Sequence, residues 1–180
     1  MSLYIQSYLT DAAKVKKVFG CKNKLFFEKA MLKLRDELDD LDADYDEQIN
    51  FDKNAKTVLL DIINGKIQFN DMAFMYVHIY EKLCNVFGEQ VFPPNDEYSV
   101  PYFKAIGLKP SAFLPIPLEK AKPFVYSIPV DKLNKEKQWF LGLTKPEDMS
   151  QKDFDLEQND FAFIFDKAIK ENKDLVFTMY

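Results

Sequence analysis

The last seven residues, DLVFTMY, constrain the fold more than any other segment of the chain. Leu175, Phe177 and Met179 alternate with the residues of the opposite face, which is the pattern of a β-strand. A strand at a chain terminus stays ordered only when it pairs with another strand. LYIQSYL near the N-terminus and PFVYSIP in the last third of the chain are the other strand-like segments. The sequence therefore predicts a small sheet of N-terminal, central and C-terminal strands.

Most of the remaining chain has helical periodicity, so the expected fold class is α+β, with several α-helices packed on the small sheet. One apolar stripe recurs at steps of three and four from Phe27 to Tyr45, which predicts a single continuous helix opened by an Asn23 cap. Further helices are expected at about 11–19, 53–64, 70–87 and 129–140, and residues 150–173 are expected to form a loop that enters a long helix.

The length of 180 residues and the 47% hydrophobic content predict one α+β domain over residues 1–180. Seven of the nine prolines lie in residues 92–123, so this segment is expected to be irregular. Its aromatic residues allow two interpretations. They either cover the core or form an exposed recognition surface.

An acidic run occupies residues 36–47, where eight of twelve residues are Asp or Glu and none is basic. If Asp40 were the first ligand of an EF-hand loop, its sixth position would be Tyr45 instead of glycine and its twelfth Phe51 instead of glutamate. The apolar stripe also runs through the acids. A solvated helix face is therefore favoured, and no metal site is predicted.

The same acids are the best candidates for binding a partner. The chain has a net charge of −5 while this run alone contributes −8, so the rest of the chain carries +3. Charge of one sign on one helix speeds the encounter with an oppositely charged protein. The sequence thus favours a non-catalytic protein-binding module, regulatory or toxin-neutralising, that docks a basic protein partner. The candidate binding residues are Asp39, Asp40, Asp44 and Glu47.

The alternative is a small hydrolase-like enzyme with a site near His78 and Glu81. His78 is the only histidine, and Glu81 follows one helical turn later, where it could raise the proton affinity of the imidazole. A hydrogen-bonding or surface role on the polar strip of the helix is the simpler interpretation. The sequence contains no GxSxG, HExxH or glycine-rich phosphate loop, so we predict no catalytic residue and no cofactor.

Several other classes of protein are disfavoured. No concentrated Lys/Arg stripe replaces phosphate counterions, so nucleic acid is not an expected partner. No apolar run approaches bilayer length and no secretion signal is evident, which predicts a cytoplasmic protein without membrane contact. Cys21 and Cys84 lack CxxC spacing and are expected to be buried, reduced thiols.

A resemblance to a known family rests on hydrophobic landmarks: YIQSYLTDAAKVKKVFGCKN, LLDIINGK, YVHIYEKLCNVFGE, PVDKLNKE and ENKDLVFTMY. In this order they resemble the YfbM-like group of uncharacterised bacterial proteins, which are domains of unknown function. The resemblance spans most of the chain and is weakest in the proline-rich middle. It implies an α+β domain in a bacterial, cytoplasmic setting, and it implies no activity, cofactor or active-site residue.

Overall fold

The computed structural model describes residues 5–46, 53–66, 73–92 and 124–179. Within these ranges the strands are β1 (Ile5–Thr10), β2 (Gly88–Val91), β3 (Phe124–Ile128) and β4 (Asp174–Met179). The α-helices are α1 (Ala12–Val18), α2 (Lys24–Lys33), α3 (Arg35–Asp46), α4 (Ala55–Asn64), α5 (Ala73–Val86), α6 (Leu133–Leu141) and α7 (Gln151–Glu171). A short 3-10 turn, Val130–Lys132, leads into α6.

The four strands form one antiparallel sheet in the order β2-β1-β4-β3. The C-terminal strand β4 lies between the N-terminal strand and the central one. Phe177 of β4 is opposite Ser7 of β1 on one side and Tyr126 of β3 on the other. The predicted α+β class and the sheet of N-terminal, central and C-terminal strands are both confirmed.

The sheet separates two hydrophobic cores. Its strands alternate, so Tyr8 and Val176 contribute to one core while Leu9 and Leu175 contribute to the other. Helices α1 to α5 supply the rest of the first core, and α6 and α7 supply the rest of the second. The sheet is thus a shared middle layer with helices on both faces.

Polar side chains cap four of the described helices, and the Asn23 cap of α2 lies where the sequence predicts it. The side chains of Asn23, Asn54 and Ser150 accept hydrogen bonds from the backbone N–H groups of the first turns of α2, α4 and α7. Asp11 caps α1 in the same way. Gly65 ends α4 in the left-handed conformation that glycine adopts most readily.

The prediction of one continuous helix through the acidic run is wrong. The helix breaks at Leu34, where φ is −106° and ψ is 9°, and this gives separate helices α2 and α3. Leu34 and Leu38 are both buried, so the apolar stripe continues across the break and conceals it in the sequence.

The structure adds one strand, corrects the burial of one cysteine and leaves the proline-rich segment undescribed. Strand β2 was not predicted, because GEQV has little of the β-branched or aromatic character of a strand. Cys21 is exposed and not buried, whereas Cys84 is buried, and both are free thiols. The proline-rich segment lies outside the described residues, apart from the exposed Phe92. None of the described helices is both long and apolar enough to cross a bilayer.

Candidate functional site

The acidic helix α3 uses some of its acids inside the molecule. Asp42 Oδ1 accepts a hydrogen bond of 2.6 Å from the backbone N–H of Ala55 at the start of α4. Glu37 forms an ion pair with Lys82 of α5 at 3.2 Å. These two contacts attach α3 to its neighbours, so Glu37 and Asp42 serve packing and are poor candidates for binding a partner.

The other described acids of α3 face solvent. Asp36, Asp39, Asp40 and Asp44 are exposed, and within the described residues none of them forms an ion pair. At 100° per residue these four fall on one side of the helix, opposite the buried Leu38. The structure thus brings together three of the four predicted binding residues, and the fourth, Glu47, lies outside the described residues.

The geometry of this segment differs from that of a calcium loop. Residues 40–44 all lie within helix α3, where successive carboxylates radiate around the axis and do not converge on one ion. Across the described ranges, no group of three or more His, Cys, Asp or Glu side chains is close enough to hold a metal ion.

The second predicted site links helix α5 to the sheet. Glu81 is buried, with 3% of its side chain exposed, and its Oε2 lies 3.0 Å from Nδ1 of His78. The hydroxyl of Thr178 in β4 donates a hydrogen bond to Oε1 of the same carboxylate. Glu81, which was expected on the polar strip of α5, is thus buried against the end of β4, whereas His78 on the same strip is 18% exposed.

This arrangement orients the imidazole. A carboxylate acceptor at Nδ1 selects the tautomer protonated on that nitrogen, as in an oriented general base. The His78 side chain is 18% exposed, so its ring lies near the surface. Cys84 cannot serve as the nucleophile, because its side chain is buried and burial raises the pKa of its thiol.

Comparison with protein families adds one finding. The model of a family described as a domain of unknown function, DUF7691, matches residues 1–180. The chain belongs to this family. No curated protein and no solved structure matches the chain. The expectation of a domain of unknown function is confirmed, and DUF7691 membership assigns no role to individual residues. The features of this chain that bear on its function are the acidic face of α3 and the His78–Glu81 pair.

The DUF7691 chain also buries two acids that the sequence did not single out. Glu157 and Asp160 of α7 are only 5% and 1% exposed. Glu157 continues the inward stripe of the helix, one turn from the buried Phe154 and Phe161. A buried carboxylate is costly unless its surroundings compensate it, which makes such residues candidates for function. The signal that could have found them is their spacing within an apolar stripe.

A shallow groove of about 250 Å³ lies beside strand β3, and it too was not predicted. Tyr126, Lys135, Glu136 and Trp139 line it. Burial, followed by the nearby Glu136 carboxylate, raises the pKa of the Tyr126 phenol above its ordinary value of 10.0. Tyr126 is therefore a neutral hydrogen-bonding group at physiological pH, and it has no role as a base.

Proposed function

We propose that this protein is a non-catalytic binding module that docks a basic surface of another protein through the acidic face of α3. The observation that carries the proposal is the exposure of Asp36, Asp39, Asp40 and Asp44 on one side of a helix. A regulatory or toxin-neutralising protein works in this way, because its function is to occupy a partner's surface. Glu47 lies outside the described residues and is included in the proposal as a candidate from the sequence alone.

The exposed acids are expected to raise the association rate more than they lower the dissociation constant. Exposed charges are well solvated, and each pair formed at a rim contributes little net free energy. A concentrated field of one sign nevertheless accelerates encounters with an oppositely charged protein, and salt weakens this effect. The rest of the chain carries +3, so the negative field of this surface is local and orients the molecule as it approaches.

A four-residue variant tests the proposal: Asp39→Asn, Asp40→Asn, Asp44→Asn and Glu47→Gln. A matched control removes four exposed acids elsewhere, with Asp131→Asn, Glu147→Gln, Asp148→Asn and Asp155→Asn. Both variants change the net charge by the same amount. Partners are captured from the source cell with the wild-type chain, and the association rate of a purified partner is then measured at several salt concentrations.

We expect the α3 variant to slow association by roughly tenfold or more at low salt and to flatten its salt dependence, because electrostatic steering spans about 10 to 1000-fold in rate. The control variant should stay close to wild type. Equal association rates for all three proteins would contradict the proposal. His78→Ala should leave binding unchanged.

A second candidate function is a small hydrolase-like enzyme that uses His78 as a base oriented by Glu81. The supporting observation is the 3.0 Å contact between His78 Nδ1 and the buried carboxylate. The two candidates separate in one experiment. If His78→Gln removes the biological effect of a protein that still folds, and the α3 variant keeps that effect, the enzyme replaces the binding module.

The proposed setting is a bacterial cytoplasm. The hydrophobic landmarks that resemble the YfbM-like group support it. Fractionation of the source cell followed by detection of the chain tests this expectation, and recovery from the membrane or the medium would contradict it.

A further inference from the structure

A groove of about 190 Å³ opens on the side of the molecule formed by α1, the start of α2 and the end of α5. It shares no residue with the acidic face of α3 or with the His78–Glu81 pair. Its lining combines positive charge, aromatic rings and one thiol: Lys14, Lys17, Val18, Cys21, Asn23, Phe26 and Phe87. This combination suits a ligand with both a charged end and a flat apolar body.

The positive end of the groove comes from two lysines one turn apart on α1. Lys14 is partly neutralised, because its ammonium group lies 3.1 Å from the Asp11 carboxylate. Lys17 forms no ion pair with the part of the chain that the structure describes. One of the two positive charges thus stays uncompensated, which matches a ligand with a single negative charge.

The apolar wall of the groove comes from two parallel phenylalanine rings. Phe26 and Phe87 have ring centroids 5.9 Å apart and an interplanar angle of 2°. Both rings are only partly buried, so apolar surface remains open to the groove beside the buried Val18. A planar ring packed on this wall would remove that surface from water.

The loop that carries Cys21 is held in place before any ligand binds. The backbone N–H groups of Gly20 and Lys22 donate hydrogen bonds of 2.9 Å to the carbonyl oxygens of Ile62 and Ile63 at the end of α4. Lys22 also has a φ of 53°, a left-handed conformation that is uncommon outside glycine. A wall fixed in this way lowers the entropic cost of binding.

We propose that this groove is a binding site for a small aromatic carboxylate, with the carboxylate on Lys17 and Lys14 and the ring on Phe26 and Phe87. The groove is smaller than a typical drug-sized pocket of about 300 Å³ or more, so a single ring is the appropriate size. The proposal is independent of the protein-binding function, because the two sites share no residues.

Cys21 supplies the readout, since it lines the groove and is exposed. The other cysteine, Cys84, is 2% exposed, and burial raises the pKa of its thiol, so it does not compete for an alkylating reagent. The rate at which neutral iodoacetamide alkylates the native chain therefore reports access to the groove. A ligand that occupies the groove slows this reaction.

The experiment measures that rate with increasing sodium benzoate at constant ionic strength. A ligand of about nine heavy atoms in a shallow site binds with a dissociation constant on the order of 1 mM, so 5 mM benzoate should slow alkylation roughly sixfold. Benzamide keeps the ring without the charge, and acetate keeps the charge without the ring. Each should slow the reaction less than about twofold at the same concentration.

Two variants make the test specific. Lys17→Gln should abolish most of the protection by benzoate, whereas Lys16→Gln changes the charge of the same helix outside the groove and should preserve it. Both lysines are exposed, so neither change threatens folding. Absence of protection by benzoate, equal protection by acetate, or unchanged protection in Lys17→Gln would each overturn the proposal.

Discussion

Glu81 is a buried acid whose position demands compensation from its surroundings. A carboxylate that is 3% exposed loses most of its hydration, and this loss costs several kcal/mol unless other groups replace the water. Two groups do so here: the hydroxyl of Thr178 and the imidazole of His78. The pairing with His78 could be predicted from a spacing of three residues on one helix. Thr178 could not, because it lies 97 residues away and approaches only when β4 joins the sheet.

Thr178→Val tests this compensation at the scale of a single atom pair. Valine keeps the shape and the strand preference of threonine but removes the donor, so a buried carboxylate oxygen loses its hydrogen bond. We expect the free energy of unfolding to fall by about 1.5–3 kcal/mol, the range for hydrogen bonds to charged groups. Equilibrium unfolding in urea measures the change.

The matched control is Thr10→Val. Thr10 is also buried in a strand, but its hydroxyl donates to a neutral acceptor, the backbone carbonyl of Cys84, at 3.0 Å. Its loss should cost about 0.5–1.5 kcal/mol. If Thr10→Val costs as much as Thr178→Val, the Thr178 hydroxyl does not stabilise a charged group, and the explanation of how Glu81 is accommodated fails.

Helices whose ends are marked by residues within the same segment could be predicted from the sequence. Elements that depend on contacts with residues far away in the chain could not. Asn54 and Gly65 mark the two ends of α4 within the segment itself, and the structure has both caps. Strand β2 carries no comparable signal. Its position depends on Gly88, which lies opposite Thr10 of β1 in a sheet pairing that spans most of the first half of the chain. The break at Leu34 cannot be predicted from the sequence either, because the stripe of buried apolar residues continues across it.

Gly88→Ala tests whether close approach holds β2 in the sheet. A Cβ atom at this position would lie 1.9 Å from the carbonyl oxygen of Leu9, so the strands must separate to admit it. We expect a loss of roughly 3 kcal/mol in the free energy of unfolding, the upper part of the usual range for overpacking. Thermal or urea unfolding measures the loss.

Gly142→Ala is the control for this prediction. At Gly142 the nearest atoms to an added Cβ are 3.4 Å away, and the backbone is right-handed with a φ of −85°. Its stability should stay within about 1 kcal/mol of wild type, because alanine adopts this conformation without strain. Similar losses at both positions would show that the fit of Gly88 against Leu9 does not hold the β2 pairing.

At the scale of the whole molecule, the sheet is the layer that the two cores of the described residues share. Leu9 and Leu175 belong to the core under α6 and α7, while their neighbours Tyr8 and Val176 belong to the core under α1 to α5. Unfolding either core removes one face of the same strands. Strands β1 and β4 then expose the apolar side chains of that face, which costs about 25 cal/mol per Å². The two cores should therefore depend on each other.

This dependence predicts a single cooperative transition. Trp139, the only tryptophan, is 45% exposed on α6 beside the buried Phe140, so its fluorescence reports the unfolding of α6, the helix that packs in the second core. Most described helices pack in the first core, so far-UV circular dichroism is weighted toward that side. In urea the two signals should give the same midpoint and the same slope, as two-state unfolding requires.

Leu175→Ala should then lower both midpoints together, although its side chain packs only in the second core. Separate midpoints, or a shift confined to the fluorescence curve, would mean that the sheet does not couple the cores and that residues 1–180 contain two independent folding units.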